Sequence, residues 1–159
     1  MTKSEALDYI LYKANRLADD YGDYESTVEH ELLAAVRVIM DWDLGKLPFH
    51  LRTPQVNAEL EEAYKILNSY PMFALSLTED FITEAFEKGG PSEDAYAKST
   101  DSTFALVGFA EAAGGIATAP MLIRAILSNP TPLIKKCVLR DPPKKGRIIS
   151  FEEWAEECK

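Results

Sequence analysis

The sequence has few of the residues that form most catalytic or metal-binding sites. Its 159 residues include two cysteines, Cys137 and Cys158, and two histidines, His30 and His50. Two cysteines do not form the disulfide framework of a small secreted protein, and the polar N-terminus does not resemble a secretory signal. No apolar run reaches the length of about 18 residues that a membrane-spanning helix needs. We therefore expect a cytoplasmic protein without a membrane segment.

Positive charge is also scarce, because 17 Lys and Arg residues stand against 26 Asp and Glu residues, for a net charge of -9. This balance argues against non-specific binding to nucleic acid. A basic strip at residues 135–147 is the exception, and the rest of the chain carries about -14. The strip either binds a polyanion or pairs with the protein's own acids, which is the commoner role of such runs.

No motif for metal, nucleotide or nucleophilic chemistry is complete. His30 and Glu31 begin like the zinc motif H-E-x-x-H, but Ala34 stands where the second histidine is needed. Successive helix residues point about 100° apart, so Glu29, His30 and Glu31 do not converge on one metal. The chain has no Gly-x-x-x-x-Gly-Lys-Ser/Thr loop, and no cysteine has a histidine nearby in sequence. We expect no metal, no cofactor and no enzymatic activity.

Helical spacing of apolar residues covers most of the chain, and no strand alternation is present. Thr2 with Glu5, and Ser26 with Glu29, fit the capping-box pattern, with Thr27 as an alternative cap for the second helix. Thr53-Pro54 is a threonine cap followed by a proline at the first helical position. The predicted helices cover residues 3–21, 27–40, 54–68, 78–88, 103–113, 118–127, 131–139 and 150–157.

One pattern occurs twice, at residues 22–36 and 114–127. In each copy a helix ends at glycine, a short turn follows, Thr27 or Thr118 caps the next helix, and paired aliphatic residues open it. The pattern predicts an all-α chain of 1–159 as a single domain with two four-helix repeats. The first repeat covers residues 3–88, an extended linker covers 89–101, and the second repeat covers 102–158.

The first copy reads Thr-Val-Glu-His-Glu-Leu-Leu-Ala over residues 27–34. With two four-helix repeats, it resembles the Clp N-terminal domain, the helical double repeat of Clp/Hsp100 unfoldases. The family usually has a leucine where Glu31 stands, and the second copy has Ala119-Pro120 in place of the acid and histidine. The AAA+ module of the unfoldases is absent from this sequence.

The resemblance implies a module that binds substrates, adaptors or Clp ATPase components. In some family members an acid at the start of each repeat's second helix binds the guanidinium of phosphorylated arginine, and the matching acid is Glu29. The implied partner-binding residues are Glu29, Thr27, His30 and Thr118. A carboxylate suits a guanidinium, and a helix start suits an anion. Glu29 as the capping-box partner of Ser26, and His30 as a packed histidine at the helix start, are the competing interpretations.

Loop aromatic residues are a second lead to a partner surface, although in small bundles they more often close the ends of the core. The candidates are the aromatic residues Trp42, Phe49, Tyr70 and Phe73, with Met72 beside them. The leading hypothesis is a non-enzymatic protein-binding module. The alternatives are an unrelated helical regulator or inhibitor with an acidic partner-binding surface and, third, a small-molecule hydrolase, which requires a buried pocket with a histidine beside a cysteine or paired acids.

Overall fold

Helices account for most of the chain, which confirms the predicted all-α class. The structure is a computed structural model that describes residues 1–140. Its helices are α1 (Glu5–Asp20), α2 (Val28–Asp43), α3 (Pro54–Asn68), α4 (Leu75–Gly89), α5 (Ala95–Ala112), α6 (Ala119–Ser128) and α7 (Pro132–Ile134). A 3-10 turn (Phe49–Leu51) precedes α3, and a π-helical turn (Lys135–Leu139) follows α7.

Two very short strands join the N-terminus to the segment before α6. They are β1 (Thr2–Lys3) and β2 (Ile116–Ala117), which pair in parallel. Thr2 therefore lies in β1, and Ser4 rather than Thr2 caps α1 by accepting a hydrogen bond from the Leu7 N–H at 3.2 Å. The predicted Thr2 cap is wrong because this backbone pairing occupies the first residues.

Helix α2 lies at the centre of the bundle. It contacts α1, α3, α4, α5 and α6, and its buried residues lie on all of its faces, as expected of a helix surrounded by others. The burial of Leu32, Leu33, Val36 and Ile39 is complete. The motif that the sequence repeats therefore forms the middle of the core.

Helix α3 begins after Thr53 and ends at Asn68, as predicted, and the Thr53 hydroxyl accepts a hydrogen bond from the Val56 N–H. Helix α4 begins at Leu75, one turn earlier than predicted. Thr78 is therefore inside the helix, and its buried hydroxyl has no hydrogen-bond partner among residues 1–140. The earlier start includes Leu75, which packs against the core, and that packing outweighs the local capping signal.

Helix α5 begins at Ala95, although the sequence predicts a start near Thr103. The later part of the predicted linker is therefore helical. Ser99 explains the difference, because its hydroxyl accepts a hydrogen bond from the Val28 N–H at the start of α2. Polar residues that read as a loop in the sequence are helical because they contact another helix.

Helix α6 packs against α3 and α5, and α7 starts at Thr131-Pro132 as predicted. The predicted last helix at 150–157, residues 141–147 of the basic strip and Cys158 lie outside the described residues. None of the helices within residues 1–140 combines the length and the apolar character that a bilayer crossing requires.

Candidate functional site

The start of α2 is closed by a capping box between Thr27 and His30. The Thr27 hydroxyl accepts a hydrogen bond from the Glu29 N–H at 3.2 Å, and the Thr27 N–H donates to His30 Nδ1 at 2.9 Å. The predicted box of Ser26 with Glu29 is wrong, and the alternative cap, Thr27, is confirmed. Histidine takes the position that Glu or Gln usually fills in such a box.

The ring of His30 is held on three sides. Because Nδ1 accepts the Thr27 N–H, the ring proton lies on Nε2, which donates to the Asp23 carboxylate at 2.8 Å. The ring also packs on Phe86, with 4.8 Å between ring centroids. His30 is completely buried, which agrees with the interpretation of a packed histidine at a helix start.

The carboxylate of Glu29 joins three parts of the chain and is completely buried. Its Oε1 accepts a hydrogen bond from the Ser92 N–H at 2.7 Å. Its Oε2 accepts hydrogen bonds from the hydroxyls of Ser92 and Thr131. Ser92 precedes α5 and Thr131 caps α7, so Glu29 ties the start of α2 to the later part of the chain. We call Glu29, Ser92 and Thr131 the first joint.

These contacts bear on how a partner would reach the predicted site. Thr27, Glu29 and His30 have no exposed surface, and the first N–H groups of α2 already bond to Ser99 and Thr27. A guanidinium reaches the Glu29 carboxylate only by displacing Ser92 and Thr131. Recognition of a partner by these residues stays a prediction.

A second buried carboxylate lies at the start of α6. Glu59 of α3 accepts hydrogen bonds at Oε1 from the Ser4 hydroxyl at 2.7 Å and from the Ala119 N–H at 3.0 Å. Thr118 is the N-cap residue, but its side chain makes no capping hydrogen bond. We call Glu59, Ser4 and Ala119 the second joint, where Glu59 binds the helix start that lacks an acid of its own.

Glu31 is half-buried, and its surroundings differ from those of Glu29 and Glu59. Its side chain forms no hydrogen bond or ion pair with another residue of the described part of the chain. Burial raises the pKa of its carboxyl from about 4.5 to about 7. The carboxyl is thus partly withdrawn from water without a partner, at the position where the resembled family usually has leucine.

The five loop candidates, four aromatic residues and Met72, divide between core and surface. Phe73 is buried, and Trp42 and Tyr70 pack against the core, which fits the interpretation that they close the bundle. Met72 is half-buried. Phe49 is 87% exposed and is the one of these five that lies open to a partner.

No group of three or more His, Cys, Asp or Glu side chains suited to a metal ion occurs within residues 1–140. Cys137 is buried. The comparisons with known proteins identify no relative: no family model, no curated protein and no solved structure matches the chain.

Sequence reasoning missed the residues that complete both joints. Ser92, Thr131, Ser4 and Glu59 lie between 55 and 102 positions from the residues they contact. Thr131 is recognisable in the sequence as a helix cap, because a proline follows it. Nothing in the sequence around Glu59 distinguishes it from the exposed acids that follow.

Proposed function

We propose that the chain is a non-enzymatic, cytoplasmic protein-binding module built as a Clp N-like double repeat. Its partner is a substrate, an adaptor or an ATPase component of a Clp system, and nucleic acid and membranes are not partners. The two repeats are those predicted from the sequence, 3–88 and 102–158. The observation that carries the proposal is the correspondence between the two joints.

The correspondence extends to the elements around each carboxylate. In the first joint, Ser92 comes shortly before α5, and the carboxylate lies at the start of α2. In the second, Ser4 comes immediately before α1, and the carboxylate lies at the start of α6. Each joint thus links the start of one half's second helix to the entry of the other half's first helix. This equivalent contact in both directions between the two halves supports the double-repeat interpretation.

The exposed side chains support binding rather than catalysis. Tyr24 is 93% exposed, Phe49 87% and Phe104 72%. Large aromatic residues are enriched among the residues that dominate binding energy at protein interfaces. The buried polar side chains at the start of α2 are hydrogen-bonded within the protein, so they serve as structural supports in the free protein.

The test is a pull-down from host lysate, read by mass spectrometry, with wild type beside Glu29→Gln and Glu59→Gln. Glutamine keeps the length of the side chain and one acceptor oxygen, so both variants are expected to fold. Circular dichroism melts verify folding first. Recovery of a Clp ATPase, an adaptor or arginine-phosphorylated proteins by wild type and Glu59→Gln, but not by Glu29→Gln, supports the proposal and the predicted site.

If all three proteins recover the same Clp components, the proposed function stands but Glu29 is not part of the contact surface. A single unrelated partner that both variants retain overturns the Clp-like assignment. Binding of the purified protein to an arginine-phosphorylated peptide and its unphosphorylated form then separates phosphoarginine recognition from general peptide binding.

The second candidate function is an acidic helical regulator. The exposed acids Asp19, Asp20 and Glu25 lie close in sequence to the exposed Tyr24, at the turn between α1 and α2. Such a surface suits a basic partner. A partner whose capture is lost on Asp19→Asn and Asp20→Asn, and is weakened steeply by salt, favours this candidate over the Clp-like function.

A further inference from the structure

An open cleft of about 540 Å³ lies where the end of α2 meets the start of α3. The indole of Trp42 and the side chains of Leu47 and Leu51 contribute its apolar lining, and Arg52 and Asn57 contribute polar groups. Its volume falls within the range of about 300–1,000 Å³ that is typical of ligand sites. None of the lining residues belongs to either joint.

The polar groups of the cleft are held in place. Trp42 Nε1 donates to Asn57 Oδ1 at 2.7 Å, which assigns the amide oxygen to the indole and leaves the amide N–H groups as donors. The Arg52 guanidinium donates to the Leu47 carbonyl through Nε at 2.9 Å and to the Gly45 carbonyl through Nη2 at 3.1 Å. Two carbonyl contacts fix the plane of the guanidinium and leave Nη1 available, which is the kind of preorganisation that favours binding.

The charge of the cleft is opposite to that of the whole protein. Residues 44–58 contain no Asp or Glu, although the chain carries a net charge of -9. Arg52 forms no ion pair with a carboxylate of the described residues, and the exposed Lys46 adds a second cation on the same loop. A fixed guanidinium without a carboxylate partner is complementary to a carboxylate from outside.

The surface beside the cleft favours a chain over a small molecule. Phe49 lies on the same 3-10 turn as Leu51 and is 87% exposed, whereas Leu51 is 4% exposed. A bound polypeptide could place one apolar side chain in the cleft and the next residue against Phe49, which a small molecule of ordinary size would not do. The cleft therefore provides an apolar contact, a positive charge and an adjoining aromatic surface.

We propose that this cleft binds a segment of a partner polypeptide in which a large apolar side chain lies next to an acidic side chain. The apolar group contacts Trp42, Leu47 and Leu51, and the carboxylate accepts hydrogen bonds from Arg52 and Asn57. The inference rests on the proposed protein-binding function, and it adds a contact surface away from Glu29 and a chemical class of partner.

The test uses an array of acetylated, amidated hexapeptides that place Leu or Phe beside Glu in a Gly/Ser background, each with a matching Gln peptide. The full chain is applied, and the tightest binder is titrated into 15N-labelled protein. The expected result is a preference for Glu over Gln of about tenfold, the size of one charge-assisted hydrogen bond. The indole N–H resonance of Trp42, assigned by its loss in Trp42→Phe, is expected to shift.

Two variants separate the charge from the fold. Arg52→Gln removes the positive charge, and Asn57→Asp keeps an acceptor for the Trp42 indole while it adds a negative charge. Each is expected to weaken the best peptide about tenfold or more. Arg16→Gln is the matched control, since Arg16 is an exposed arginine of α1 outside the cleft, and it should bind like wild type.

Three results overturn the inference: equal binding of the Glu and Gln peptides, unchanged binding by Arg52→Gln and Asn57→Asp, or a Trp42 resonance that does not move. If a Gln peptide with a free C-terminus binds more tightly than the amidated Glu peptide, the cleft recognises a C-terminal carboxylate and not an acidic side chain. A peptide of residues 150–159 also places Phe beside Glu. If that peptide binds and no external peptide displaces it, the cleft binds a segment of the chain itself and the inference of an external partner is wrong.

The peptide experiment fails separately from the proposed function. It uses purified protein and charge changes in the cleft, whereas the pull-down depends on Glu29. Capture of Clp components that Arg52→Gln and Asn57→Asp both retain upholds the proposed function and rejects the cleft as its contact surface.

Discussion

The hydroxyl of Thr131 donates a hydrogen bond to the carboxylate of Glu29 across 102 positions of the chain. Thr131 is also the cap of α7, since its hydroxyl accepts a hydrogen bond from the Ile134 N–H. One hydroxyl thus joins the starts of two helices, and the carboxylate that receives it is buried. Glu59 also joins two helix starts, because its carboxylate binds both Ser4, the cap of α1, and the first residue of α6. Both contacts predict that the two ends of the described chain unfold together.

Replacement of Glu29 by alanine is expected to lower the free energy of unfolding by about 3 kcal/mol, since the buried Thr131 hydroxyl and the half-buried donors of Ser92 lose their acceptor. Ser92→Ala, which removes one hydroxyl, should cost about 1 kcal/mol. Urea denaturation followed by circular dichroism measures both. Glu25→Ala, on the exposed turn before α2, is the control. A loss for Glu29→Ala no larger than that of Glu25→Ala contradicts the first joint.

The second joint predicts coupling between Glu59 and Ser4. Glu59→Ala should destabilise the protein by about 2 kcal/mol because the Ser4 hydroxyl and the Ala119 N–H lose a buried acceptor. The exposed Glu62→Ala should change stability by less than about 0.5 kcal/mol. A double-mutant cycle of Ser4→Ala with Glu59→Ala isolates the contact, and an interaction energy near zero would show that the two residues act independently.

Thr27 and Ser26 compete in the sequence as caps of α2, and substitution distinguishes them. Thr27→Val keeps the buried volume but removes the hydroxyl, so it should lower stability by about 1–2 kcal/mol. Ser26→Ala should have little effect. Thermal melts of the two variants at equal concentration are sufficient, and a larger loss for Ser26→Ala would restore the box of Ser26 with Glu29.

Glu31 predicts a pH-dependent stability. Burial raises the pKa of its carboxyl in the folded protein to about 7, while the unfolded chain keeps the ordinary value near 4.5. Between these values the folded state holds a proton that the unfolded state has released, so stability falls as the pH rises through this window and levels off above about 7.

Glu31→Gln should remove this part of the pH dependence, and Glu31→Leu should be more stable than wild type at pH 8. Urea midpoints measured at intervals from pH 5 to pH 8 provide the comparison. Exposed Glu25→Gln is the control for a general charge effect. Parallel curves for wild type and Glu31→Gln over the whole range would mean that the carboxyl is hydrated in the folded state.

The all-α class and several helix boundaries depend on local signals that can be read in the sequence. The start of α3 at Thr53-Pro54 was predicted correctly because a hydroxyl cap and a proline act within one helical turn. The start of α4 was predicted wrongly at Thr78, and that of α5 at Thr103. Helix α4 begins earlier because Leu75 packs against the core, and α5 begins earlier because the polar Ser99 hydrogen-bonds to the start of α2.

Composition and spacing by themselves determined that this protein is helical and acidic, and they located the capped helix that forms its centre. The tertiary structure alone decided which acids are buried, because burial depends on contacts between residues that lie far apart in the chain. It paired Glu29 with Thr131 and Glu59 with Ser4, and it left Arg52 without a carboxylate in the described part of the chain. Local sequence carries propensity and periodicity, whereas a buried hydrogen bond between distant segments exists only once the helices have packed.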